Sequence, residues 1–541
     1  MRAVLDSLDL RPWGRGLLAA REVDPTASRR PVTMRGLTIG ATFLAPMFTL
    51  WLHGCSPSGE DVGVAQVAPA TVAPPAPSML SGVDRDQWTH EALGGTASGD
   101  TLAGTTLPSL GVLVKNVTFV GSGFNNLRPE TTCWNRFEIT IANPGSGWSE
   151  TFLIQEPCLP PTEARPLLVL FHKFGSSHLD TEANTDFFEV AGARRWYVVA
   201  PLSAATKHYG SEEAQINTEV VLDYMFQNFP AIDADRVYGV GFSMGGGAML
   251  GYAARHVDPA KATFAALLSH TGGGALRHTY ETSPDDDDVD DNLATGANLE
   301  TPDILDFWFG GPPSTNAFTY QRFSAMDVDG FLTVNADTSM ITNLVHVPLH
   351  TWYAGSDPVG ALRDLSITVA VEFESTFGGT SVLTPVPASA HTWNTLDEVV
   401  ALDWLEQYTL NLPTSGRTLA DADGIWFHFE VVQDAPGALT PFEWSVDTGL
   451  NSLSVDNTSN LQRLIVDTLA LGLDPSSDIT LDVSTVDGLG DEIRFLNMPT
   501  APSLVLRDGL PDVNWVHDSL TETLTISEAD GGAHQWWVVA N

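Results

Sequence analysis

The chain has 541 residues, 43% hydrophobic and 17% charged, which suits two to four globular units with a sizeable core and excludes a small disulfide-stapled fold. Asp and Glu number 67 against 26 Lys and Arg, a formal net charge of -41, so the clustered cations that a nucleic-acid partner requires are missing. Only Lys115, Lys173, Lys207 and Lys261 are lysines, which leaves no polybasic stripe for an anionic membrane surface.

Residues 37–52 are an apolar run, shorter than the ~20 residues a membrane helix usually needs, and read as a signal-peptide core. The run ends in Leu52-His53-Gly54-Cys55, which resembles a bacterial lipobox with Cys55 as the lipidated residue; His53 is unusual there. Met34-Arg35 opens a leader of conventional length, so the start codon is expected at Met34 and residues 1–54 as a lipoprotein-type signal peptide. An uncleaved anchor helix is the alternative. Residues 55–80 carry Pro57, Pro69, Pro74, Pro75 and Pro77 among Ala, Val and Gly, a tether that cannot pack a core. Loss of the leader removes seven Arg and four acids and moves the charge from -41 to -44, so the acidity belongs to the exported part. Cys133 and Cys158 remain as a pair, for which a disulfide is the natural reading in an oxidising compartment, against two buried thiols.

Residues 81–132 read as a β-containing extension with a strand-like stretch at 111–120. From 133 to 412 short apolar runs alternate with helical segments, the pattern of a mostly parallel, doubly wound α/β sheet. Strands are expected at 136–142, 149–157, 166–171, 196–200, 236–242, 264–268, 347–353 and 382–386. Helices are expected at 180–195 and 217–229, and a closing helix puts Leu396, Val400, Trp404 and Tyr408 on one face. Residues 271–343 form a cap or lid insertion. After Pro413 residues alternate, as at Ile425, Phe427, Phe429 and Val431, which predicts an all-β sandwich over 413–541, with a short helix near 461–471 left open.

Gly241-Phe242-Ser243-Met244-Gly245 fits G-x-S-x-G between a strand and a helix. The glycines keep side chains away from a strained turn that exposes the serine hydroxyl at the helix amino terminus. A nucleophilic Ser243 needs a base and an acid, which follow in the order Ser, Asp, His. Asp357 stands in the loop after the 347–353 strand, and His391 in the loop before the closing helix. Asp364 and Glu372 are reserve acids. An oxyanion hole needs two backbone amides, of which Met244 supplies one and the loop His172-Lys173-Phe174-Gly175 the other.

These motifs, with Ile232-Asp233-Ala234-Asp235-Arg236-Val237-Tyr238 ahead of the nucleophile, resemble the α/β-hydrolase superfamily. Within it they are similar to the exported polyhydroxybutyrate depolymerase and feruloyl esterase group, over about half the chain. The resemblance implies that Phe174 gives the second amide, and that no cofactor or metal is used. Lys173 departs from it, since the group has Gly there, and a side chain at that point would alter the backbone or place a cation beside the pocket.

The insertion also holds Phe307-Trp308-Phe309, readable as acyl-pocket aromatics or as cap core. The Asp run at 285–291 could hold Ca²⁺ but lacks calcium-loop spacing and reads as a solvated loop; Asp327-Val328-Asp329-Gly330 is likewise partial. Three functions compete. The first is an exported, lipid-anchored serine hydrolase of carboxylic esters, acting on polyester or feruloyl-type substrates, with neutral polymers favoured by the acidity. The second is a peptidase similar to the prolyl oligopeptidase group, and the third a surface-binding protein on a degenerate hydrolase scaffold, with sandwich tryptophans contacting polymer.

Overall fold

The computed structural model describes residues 105–107, 112–125, 132–142, 145–159, 161–284, 301–388, 390–527 and 531–541. The expected signal peptide, Cys55, the tether, most of the 81–132 extension and the Asp run at 285–291 lie outside them. Among the described residues no helix is long and apolar enough to cross a membrane.

The chain opens with β1 (Thr105–Leu107), β2 (Val112–Asn125), β3 (Thr132–Ala142) and β4 (Glu150–Pro157). Then come β5 (Arg165–Phe171), α1 (Asp180–Asn184), α2 (Phe187–Ala193), β6 (Tyr197–Pro201), α3 (Glu212–Asn228), β7 (Ile232–Phe242), α4 (Met244–Arg255) and β8 (Ala266–His270). The insertion holds α5 (Leu276–Thr282), α6 (Thr301–Phe309), α7 (Ala317–Phe323) and the ribbon β9 (Asp327–Val328) with β10 (Val334–Asn335). The sheet resumes with β11 (Leu349–Ala354), α8 (Gly360–Ser375), β12 (Ser381–Val386) and α9 (Glu398–Leu405).

Ten strands form one sheet in the order β1-β2-β3-β4-β6-β5-β7-β8-β11-β12. Pairing is antiparallel as far as β4–β6 and parallel from β6 to β12. The long β2 extends the sheet rather than crossing it. Strands β5 and β6 are apolar runs buried on both faces, as central parallel strands must be. The catalytically suggestive loops therefore all leave the carboxyl edge of one sheet.

Three local expectations are corrected. Residues 180–195 are two short helices, because Thr185 is extended and its hydroxyl, donating to the Thr181 carbonyl and accepting from the Phe187 N–H, competes with the helical ladder. The closing helix buries Ala401, Leu402 and Leu405 and exposes Val400, since Leu396 and Tyr408 fall outside its two turns. Residues Leu461–Asp467 form a strand; a bulge opposite Val432 and Gln433 turns Leu461 and Leu464 inward at a helix-like spacing of three.

Strands beyond Pro413 make a seven-stranded and a six-stranded sheet. They are not purely antiparallel: Ser452–Thr458 runs parallel to Ile479–Thr485, and Leu461–Asp467 to Glu492–Leu496, as the chain shuttles between the sheets. Trp426, Trp444 and Trp536 are buried in this β domain, and Trp537 is half exposed. Its core is continuous with one face of the larger sheet, from Leu250 and Ile341 to Leu419 and Phe427. Asn343 pins the junction, its amide donating to the Ala254 and Leu419 carbonyls and its oxygen accepting from Leu419 N–H. Beside it the buried Asp421 carboxylate takes Arg255 from α4 and Arg322 from α7.

This packing has two measurable consequences. Asp421→Ala leaves two largely buried guanidinium groups without a counter-charge, and urea unfolding should show a loss of about 3–5 kcal/mol; an unchanged midpoint would exclude a structural role for the cluster. Burial also depresses His270 to about 3, and His346 and His350 to about 4. Below the ordinary value near 6.5 the unfolded chain gains protons that these rings refuse, so stability is present above that value and lost as pH falls towards about 4. Glu150, raised by burial to about 7, opposes with a single proton. Unfolding free energy should therefore be lower at pH 5 than at pH 7, and His350→Gln should reduce the difference.

Candidate active site

Strand β7 hands the chain to α4 through Ser243, held at φ 57° and ψ -124° with its N–H on the His270 carbonyl at 3.0 Å. The flanking glycines are sterically required. A Cβ on Gly241 would lie 2.4 Å from the Gly245 carbonyl oxygen, and one on Gly245 2.4 Å from that of Phe171. Ser243 opens into a cavity of about 370 Å³, whose apolar walls include Phe174, Tyr209, Leu276, Phe323, Leu362 and Leu365.

Asp357 leaves the end of β11 and is buried. Its Oδ1 accepts the Val359 N–H at 2.8 Å, and its Oδ2 meets His391 Nδ1 at 2.8 Å. A carboxylate on Nδ1 assigns the proton there and leaves Nε2 as the base. His391, in the loop after β12, lines the same cavity as Ser243, with no hydrogen bond between their side chains. The His391 ring lies 4.6 Å from Phe242, whose other neighbour at 4.6 Å is His270. The reserve acids are elsewhere: Asp364 pairs with Arg363, and Glu372 accepts from Thr376.

Met244 N–H, at the amino terminus of α4, and Phe174 N–H, after β5, have no hydrogen-bond partner among the described residues. Their neighbours do: Lys173 N–H faces Asp180 at 3.4 Å and Gly175 N–H donates to Thr206 at 2.8 Å. Both unpaired amides belong to residues lining the cavity, and the helix dipole adds to the field at Met244. Lys173 lines the cavity too, with its ammonium 3.4 Å from the Asp180 carboxylate.

Sequence reasoning missed Glu150. Fully buried, it accepts from Leu202, Ser203 and Ala204 N–H at 2.7, 2.9 and 2.8 Å and from the Asn217 amide at 2.8 Å. It thereby holds Ser203 and Ala204 at positive φ and steadies the loop whose Thr206 carbonyl receives Gly175. An acid opening an apolar strand was the only signal.

Phe307, Trp308 and Phe309 do not line the cavity: Phe309 packs in the cap, Trp308 lies tilted against Trp148 and Phe307 is exposed. Asp327 accepts from Gln321 and Thr338, and Asp329 from its own turn. Among the described residues no three His, Cys, Asp or Glu side chains are placed to hold a metal ion. Cys133 and Cys158 stand at disulfide separation, Cα atoms 5.5 Å apart, where β3 begins and β4 ends.

No protein-family model and no curated protein matches the chain. Among solved structures it is similar to an S-formylglutathione hydrolase from Agrobacterium tumefaciens, at 12% identity and TM-score 0.39, over 54% of this chain and 99% of that one. It is also similar to a ferulic acid esterase, at 13% and 0.36 over 51% and 98%, and to an esterase from the archaeon Pyrobaculum calidifontis, at 15% and 0.34 over 50% and 83%. The strand order, the Ser243 turn at the carboxyl edge, and Asp357 and His391 in the loops after β11 and β12 at that same edge give the central part of this chain the α/β-hydrolase fold.

Proposed function

We propose that the protein is a serine hydrolase of carboxylic esters. Ser243 Oγ attacks the ester carbonyl while His391 Nε2 takes its proton, and the oxygen that becomes negative turns to the Met244 and Phe174 amides. Collapse expels the alcohol, which receives the proton from His391. Water, activated by the same histidine, then releases the acid and restores Ser243. Asp357 keeps the ring in its tautomer and stabilises its charged form. The observation that carries this reading is the 2.8 Å contact of the buried Asp357 with His391, which opens onto the cavity that also holds the strained serine.

The apolar walls favour an ester with an apolar acyl group, of polyester or feruloyl type, and the charge of -41 disfavours polyanions. Two unpaired amides beside the serine weigh against a degenerate scaffold. Ser243→Ala should abolish both turnover of short nitrophenyl esters and labelling by a fluorophosphonate probe while the fold is kept, and Asp357→Asn should lower kcat about 10⁴-fold. Unchanged rates in Ser243→Ala, or cleavage of a peptide panel and no ester, would sink the proposal.

We further propose that the parts are a leader (1–54), a tether (55–80), an extension (81–132), a hydrolase domain (133–412) and a β domain (413–541), exported and held at the cell envelope through Cys55. The Cys133–Cys158 separation supports an oxidising destination. Cys55→Ser should move the protein from the membrane fraction to the soluble one and stop incorporation of labelled fatty acid; retention in membranes without lipid would favour an anchor helix instead.

A further inference from the structure

Asp180 opens α1 seven residues after Lys173 and 213 before Trp393, and its side chain, only 2% exposed, sits between the two loops that carry them. Its Oδ2 accepts the indole N–H of Trp393 at 2.8 Å and faces the Lys173 N–H at 3.4 Å. Its Oδ1 accepts the Asn184 amide at 3.0 Å and lies 3.4 Å from the Lys173 ammonium. Lys173 immediately precedes Phe174. Trp393 is two residues past His391, is buried, and packs 5.1 Å from Phe242, the residue before the nucleophile.

We propose that Asp180 is a positioning residue that locks the oxyanion loop to the histidine loop, with Lys173 as its counter-charge. The inference rests on the Ser243 reading above. A carboxylate satisfies all four donors because both of its oxygens accept, whereas an amide that kept its oxygen on Trp393 and the Lys173 N–H would turn its own N–H groups against Asn184 and the Lys173 ammonium. A buried carboxylate also needs a compensating cation, which gives a physical reason for a lysine at position 173 in a chain with four. Lys173 thus closes the bridge from the oxyanion side, and Trp393 closes it from the side of the base.

Loosening the bridge displaces the Phe174 amide relative to His391 without altering the apolar cavity walls, so the loss belongs to the transition state. The test uses the full chain, and measures kcat and KM on a nitrophenyl ester together with the rate and final extent of fluorophosphonate labelling. In Asp180→Asn and in Lys173→Met every site should still label, with the labelling rate and kcat both about 10–100-fold lower and KM within about twofold. The double variant should be no slower than Asp180→Asn alone, because the counter-charge has no further role once the carboxylate is gone. Wild-type rates in both single variants would overturn the proposal. So would multiplying effects in the double variant, or a loss seen only as fewer labelled sites or a lower Tm. If Asp180→Asn does not fold, Lys173→Met, altered at a partly exposed side chain, decides alone: wild-type labelling there overturns the idea and slow, complete labelling supports it. Absence of labelling in the unmodified protein would instead refute the Ser243 reading, a result distinguishable from either.

Discussion

The carboxyl edge of the large sheet is arranged around one strained residue, Ser243 at φ 57°. A non-glycine residue keeps a left-handed backbone only where its surroundings enforce it. Here the enforcement is close packing of backbone on backbone. Gly245 lets α4 approach the end of β5, and Gly246 and Gly247 meet Gly272 and Gly274, where an added Cβ would come within 2.8 and 2.9 Å of backbone. The glycines on both sides of the turn therefore follow from one geometric demand. The same close approach puts the first amide of α4 beside the serine hydroxyl and brings the loop after β5 near it.

Packing fixes the turn, but the loops that complete the site are fixed by buried polar groups reached across long sequence distances. Glu150 gathers three successive N–H groups of the 202–204 segment, Asp357 orients His391, and His270 meets Thr395 at 2.7 Å on the histidine loop. Each is charged or polar where water is excluded, so each is strong when satisfied and costly when not. The His391 loop is held by the packing of His391 and Trp393 on Phe242 as well as by hydrogen bonds to Asp357, His270 and Asp180.

This division explains what could be read in the sequence. Ser243, Gly241 and Gly245 were legible because their constraint is local, five residues between a strand and a helix. Asp357 and His391 were legible because the sheet forces them into loops at one edge in a known order. Glu150 and Asp180 were not, since nothing near either residue says which distant amides it will accept. Periodicity failed where a single residue changes the spacing: the Thr185 break divided one expected helix into two, and the bulge beside Gln433 gave a strand the three-residue spacing of a helix.

The β domain was the least legible part, because alternation announces strands and says nothing of what they pack against. A binding module appended to an enzyme works by reach, on a linker that lets it find surface independently. This one shares a continuous core with the hydrolase-fold part, exchanges two hydrogen bonds with Asn343 through Leu419, and buries Asp421 against Arg255 of α4 and Arg322 of α7. Arg255 passes the contact on to Gln215, whose amide holds the Gly210 carbonyl beside Tyr209 on the cavity wall. Three of its five tryptophans are spent on its own core. Its position is that of a buttress to α4 and α7, and the cavity they line takes its shape partly from a domain that, among the described residues, contributes none to the cavity wall.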